Sequence, residues 1–127
     1  MLLDRHMKKT VLIGATSDTS RYAFIASAML AEYNHVFVPI GIKNGKVLGR
    51  DILDIRNKPP VDNVDTITLY ISQAVQAAHY DYLLSLNPRR IIFNPGTENP
   101  EFEIIANKKG VETLNACTLV LLRLGRY

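Results

Sequence analysis

The chain has 127 residues, 47% of them hydrophobic and 21% charged, with a net charge of +3. That length suits one domain with a real core and leaves no room for a nucleotide domain beside a separate catalytic one. No apolar run approaches the ~18 residues a membrane helix needs, the opening MLLDRHMKK lacks a signal-peptide core, and the single Cys117 excludes an internal disulfide framework, so a reducing cytosol is expected.

Met7, ahead of Lys8 and Lys9, reads as a possible natural start, with residues 1–8 a loose extension of a single domain over residues 1–127. Thr10 to Gly14 is a short apolar run suited to a strand covered on both faces. It breaks at Gly14 into Ala15, Thr16, Ser17, Asp18, Thr19, Ser20 and Arg21, a loop of small hydroxyl residues opening a helix from Ser20 to Tyr33. Thr19 or Ser20 is the expected N-cap, and Phe24, Ile25, Ala28, Met29 and Leu30 give the packing face. A strand end, a glycine that lets backbone approach a ligand and fresh helix N–H groups make an anion cradle. Gly14 also suits a plain tight turn and any one of Ser17, Thr19 and Ser20 a helix cap, but together they favour a bound anion.

Val36 to Ile40 is the second strand, ended by Pro39 and Gly41. Gly41 to Asn63 is too long to be structureless in a compact domain, so it should contain a hairpin or a helical turn. Within it Lys43, Lys46, Arg50, Arg56 and Lys58 face only Asp51 and Asp54, a local excess of cations without aromatics. That fits a small anion better than nucleic acid, and fits a solvated loop as well. Asp65 to Ile71 is the third strand. Ser72 should cap a helix to about Leu86, with Val75, Ala78, Tyr82, Leu83 and Leu86 inward and His79 packed on the same side. Arg90 to Asn94 is the fourth strand. Asn99 then stands as N-cap, Pro100 at the first helical position, Glu101 and Glu103 in the first turn, and Gly110 as the stop. Val111 to Leu114 is the fifth strand, and Cys117 to Leu122, with a core thiol, a final helical turn or strand. This alternation implies an α/β fold, a Rossmann-like parallel sheet of about five strands with helices on both faces and ligands at the strands' carboxyl ends.

The rival phosphate loops fail. The GxGxxG fingerprint needs glycines where Thr16 and Thr19 stand, a GxxGxxG variant needs them at Ser17 and Ser20, and no acid follows the second strand to hold a ribose. No Tyr has a Lys four residues on, and GIKNGKV from Gly41 to Val47 is one residue short of an ATP-type loop and ends in Val. No Cys or His neighbours stand at metal-ligand spacing.

The series GATSDTSRYA, VPIGIKNGKVLGRDI, FNPGTENPE and ETLNAC resembles the small stand-alone CoA-binding proteins, whose fold is similar to the N-terminal domain of the succinyl-CoA synthetase alpha subunit. The resemblance runs from about Lys9 to Leu122. It implies coenzyme A or an acyl-CoA as ligand, with Gly14, Ala15, Thr16, Ser17, Asp18 and Thr19 under the pyrophosphate and Ser20 and Arg21 beside it. It also puts Pro39 and Ile40 on the adenine side, Lys43 near the 3′-phosphate, Ile71 at the end of the apolar stretch beneath adenine and pantetheine, and Asn94 and Gly96 in the loop after the fourth strand. Pro95 stands where the synthetase subunit has an acid. The expected role is binding without catalysis by this chain alone, with no nucleic acid, no membrane, and a second copy or a CoA-using enzyme as partner. Two other readings stay open: an NADP-dependent reductase with an atypical loop, and a ligand-free interaction module.

Overall fold

The computed structural model describes residues 6–127. Strand β1 (Thr10–Ile13) is buried along its whole length, as an apolar strand with both faces covered should be. Helix α1 (Tyr22–Glu32) leads to β2 (Phe37–Gly41), and the long connection that follows folds into an antiparallel hairpin, β3 (Lys46–Val47) and β4 (Arg50–Asp51), a short β5 (Leu53–Asp54) and a 3₁₀ turn over Ile55–Asn57. After these come β6 (Thr66–Leu69), α2 (Gln73–Gln76), a second 3₁₀ turn, α3 (Tyr80–Ser85), β7 (Arg90–Phe93), α4 (Pro100–Lys108), β8 (Glu112–Asn115) and α5 (Thr118–Arg123). Among the described residues no helix is long and apolar enough to cross a membrane.

The main sheet is parallel throughout, in the order β5-β2-β1-β6-β7-β8. It has six strands where the sequence suggests about five. The sixth is β5, whose two residues pair with Ile40 and Gly41 at the edge, too short a piece to leave a period-2 pattern in the sequence. Successive side chains of a strand point to opposite faces, so Val11 and Ile13 enter one core with Leu83, Phe93 and Phe102, while Leu12 enters the other with Ala26, Leu30, Leu119 and Leu122. Helices α1 and α5 cover the second face; α3 and α4 cover the first. The chain runs outward from β1 to β2 and β5, then returns to β6 on the other flank of β1. Strand order therefore reverses between β1 and β6.

Several expectations are corrected. Pro39 lies inside β2, opposite Leu12, and does not end it. The carbonyls of Val36 and Ile40 accept bonds from Thr10 and Gly14, so the Pro39 nitrogen faces the other edge, where β5 pairs only with Ile40 and Gly41 and a missing N–H costs little. The helix expected from Ser72 to Leu86 is broken by the 3₁₀ turn at Ala77–His79. Tyr82, Leu83 and Leu86 are buried as expected, but Val75 and Ala78 are exposed and Gln76 is buried in their place. The Gln76 amide donates to the carbonyls of Ile71 at 2.9 Å and Thr97 at 2.8 Å, and its oxygen accepts from Asn99. Those partners satisfy a polar group that an amphipathic helix would have turned to solvent. Cys117 is only half-buried.

Residues 1–5 of the supposed extension lie outside the described residues. Lys8 is tied down, its N–H donating to His35 Nδ1 and its Nζ to the Tyr127 carbonyl. The buried Tyr127 ring packs against the Arg90 guanidinium, which donates to Thr66, and its hydroxyl bonds Thr10. Thr10, Thr66 and Arg90 open their strands, so the C-terminus seals the amino end of the sheet.

Candidate functional site

At the carboxyl end of β1 the backbone turns at Gly14 with φ +96°, where a Cβ would stand 2.7 Å from the Tyr70 carbonyl oxygen. Only glycine fits that contact. The N–H groups of Gly14 and Ala15 both donate to Ile40 O, at 2.9 and 3.1 Å, pinning the loop to β2. Asp18 N–H donates to Thr16 Oγ1, the Asp18 carboxylate accepts the N–H and hydroxyl of Ser20, and Arg21 N–H donates to Asp18 O. The Ser20 bonds, with the positive charges of Arg21 and Lys43, hold the Asp18 carboxyl below its ordinary value.

The N-cap of α1 is Arg21, with extended backbone, no side-chain capping bond and no acid in the first turn. The expected caps Thr19 and Ser20 do not act as such, because Asp18 takes the Ser20 hydroxyl and the helix starts two residues later. The N–H groups of Thr16, Ser17, Thr19, Tyr22 and Ala23 consequently have no acceptor among the described residues. Unsatisfied amides at a helix start carry partial positive charge and select an anion.

Three adjoining cavities lie along this crest. One of about 210 Å³ sits over the β1–β6 switch point, with Gly14, Arg21, Ile42, Lys43, Ile71 and His79 in its walls. A second, about 170 Å³, lies over the loop between Gly14, Thr16, Arg21, Tyr22 and Lys43. The third, about 250 Å³, is walled by Tyr22, Tyr70, Asn94, Pro95, Cys117 and Leu119. Tyr70 borders all three. A larger cleft of about 650 Å³ opens at the other end of the sheet, between the Lys58–Val64 segment and the Asp81–Asn87 segment.

Among the residues read from the sequence, the cavities bring together Gly14, Ala15, Thr16, Arg21, Lys43, Ile71 and Asn94. Pro39 and Ile40 are buried beneath the loop and line none of them. Ser17, Thr19 and Ser20 stand exposed on the loop outside the cavity walls, and Gly96 is exposed beyond Pro95, its N–H donating to Glu98. The Asn94 side chain is fully used: its Nδ2 donates to Thr68 Oγ1 and Leu69 O, and its Oδ1 accepts from Thr118 N–H. Lys46 is turned away and paired with Asp51 at 3.2 Å. The sequence reading missed Tyr22 and Leu119 and placed His79 and Cys117 in the core. No local signal marks these residues; the meeting of helix starts at one sheet end does. Burial pushes the Tyr70 hydroxyl above its ordinary pKa, so it stays protonated. Among the described residues no cluster of three His, Cys, Asp or Glu could hold a metal ion.

A family described as CoA binding domain matches residues 8–123. No curated protein matches the chain. Among solved structures, an uncharacterized protein is 48% identical with a TM-score of 0.92, over 95% of this chain and 98% of its own. A hypothetical protein from Pyrococcus horikoshii is 24% identical with a TM-score of 0.81, over 94% of this chain and 84% of its own. An acetyl-coenzyme A synthetase from Ca. Korarchaeum cryptofilum, solved with phosphate and ADP, is 18% identical with a TM-score of 0.65; the match covers 87% of this chain and 26% of the synthetase. The last two likenesses are of fold.

Proposed function

This chain belongs to the CoA binding domain family, and from that premise we propose that it binds coenzyme A or an acyl-CoA across the carboxyl ends of β1 and β6. The observation that carries the reading is the uncapped start of α1 beside Gly14, with five unsatisfied N–H groups and with Arg21 and Lys43 at the same cavities. The pyrophosphate lies on the N–H groups of Thr16, Ser17, Thr19, Tyr22 and Ala23. Arg21 and Lys43 offset the phosphate charge, Lys43 taking the 3′-phosphate. The adenine sits over Ile42 and Ile71, and the pantetheine arm passes Tyr70 toward Tyr22 and Pro95. Pro39, Ile40 and Asn94 act from beneath, fixing the strands and loops on which the ligand rests. Amides, two cations and apolar walls bind and orient, so the proposed role is recognition, with chemistry left to a CoA-using enzyme.

Isothermal titration with CoA, NADPH and ATP tests this. Saturable heat with CoA and none with NADPH is expected. Silence with CoA at high protein concentration, or binding of NADPH alone, would overturn it.

A further inference from the structure

The cavity farthest along the crest differs in chemistry from the two it adjoins. Arg21 and Lys43 border the cavities on one side of Tyr70, while the pocket on the other side has no charged residue in its wall. The polar side chains of Asn94 and Tyr70 in its wall are already spent or hidden. Every hydrogen-bonding atom of the Asn94 side chain has a partner within the protein. The Tyr70 hydroxyl is buried beside Thr68 and Thr118, which bond each other at 2.8 Å, and no solvent or ligand reaches it. What remains for an occupant is the Tyr22 and Tyr70 rings, Pro95, Leu119 and the Cys117 sulfur.

Resting on the CoA reading above, we propose that the ligand is an acyl-CoA carrying a short, uncharged acyl group, and that this pocket holds the acyl group. A ligand with its phosphates on the α1 start and its arm past Tyr70 ends among these apolar atoms, since Tyr22 and Tyr70 wall both the loop cavity and this pocket. About 250 Å³ equals roughly eight waters at ~30 Å³ each, room for a thioester and a chain of a few carbons. Methylene groups gain from leaving water there. A terminal carboxylate would be desolvated there with no cationic side chain to meet it, which disfavours a dicarboxylic acyl group.

Titration of the whole protein with CoA, butyryl-CoA and succinyl-CoA decides the matter. Butyryl-CoA should bind about tenfold tighter than CoA, the gain from burying about two methylene equivalents, and succinyl-CoA no tighter than CoA. Tyr22 is 72% exposed, so Tyr22→Ala leaves the fold intact; in this variant the ratio of butyryl-CoA to CoA affinity should fall to within about twofold of one. Equal affinity for CoA and butyryl-CoA in the unaltered protein, or tightest binding of succinyl-CoA, overturns the acyl pocket and leaves CoA binding standing. Failure of all three ligands to bind overturns both.

Discussion

Helices α1 and α4 both begin at the carboxyl end of the parallel sheet, and they begin in opposite ways. At α4 the Asn99 side chain accepts from Phe102 N–H, Pro100 occupies the first position, and Glu101 and Glu103 sit in the first turn. That start caps the Phe102 donor with its own side chain, spends no N–H at Pro100, and meets its own dipole with two acids. At α1 no side chain caps, no acid enters the first turn, and an arginine stands at the N-cap. One start is capped by its own side chain and acids; the other leaves its N–H groups open to an anion, as the proposed function requires. Receptivity, not volume, distinguishes them. In the wider cleft at the far end of the sheet no helix start opens, and the Tyr82 and Ser85 hydroxyls in its wall are spent on Pro59 O and Tyr82 O.

The contrast can be broken from either side. The largest effect is expected for Gly14→Ala, which forces a Cβ into the Tyr70 carbonyl at positive φ; urea denaturation should report a loss of about 3 kcal/mol, and CoA binding should vanish with the displaced loop. Wild-type stability in this variant would mean that the close approach of β1 and β6 is not required. Asn99→Ala removes the α4 cap and the donor to Gln76 Oε1 and Tyr80 Oη, so stability should fall by about 2 kcal/mol while CoA affinity stays unchanged. Arg21→Glu reverses that pattern. The side chain is exposed, so stability should move by no more than about 0.5 kcal/mol, whereas CoA affinity should drop at least about tenfold. Were the two variants to affect binding alike, the distinction between a closed and an open helix start would fail.

The smallest effect is a titration. The Asp18 carboxyl has a folded pKa below the ordinary 3.8 because Ser20 donates to it twice. Its bonds to Ser20 are therefore fully present above pH 3.8 and are lost as pH falls through the lower folded value. The Ser20 amide resonance should shift with a midpoint below 3.8. A midpoint at or above that value would show that Asp18 does not hold the loop.

The two helix starts also differ in how far they can be read. The signals at α4 are local: Asn99, Pro100, the two glutamates and Gly110 lie within one short stretch, and each acts on backbone at most a turn away. The α1 start misleads, because Thr19 and Ser20 are good caps by composition, yet Asp18 captures the Ser20 hydroxyl and moves the helix start to Tyr22. The segment after β6 misleads for a longer-range reason. Gln76 finds acceptors and a donor in Ile71, Thr97 and Asn99, and two of these come from beyond another strand. Pro39 reads as a terminator until the sheet reveals that its nitrogen faces an edge where β5 has barely begun.

The sequence alone determined the alternation of strands and helices, the glycine turn after the first strand, and the absence of the nicotinamide and ATP loop patterns. Each is a matter of period or of spacing within a few residues, which local backbone physics encodes. The tertiary structure alone decided that Lys43 and not Lys46 reaches the crest, that five N–H groups stay open, and that Tyr22, Pro95, Cys117 and Leu119 share one wall. Those residues are separated along the chain by up to 97 positions and meet only because strand order reverses between β1 and β6.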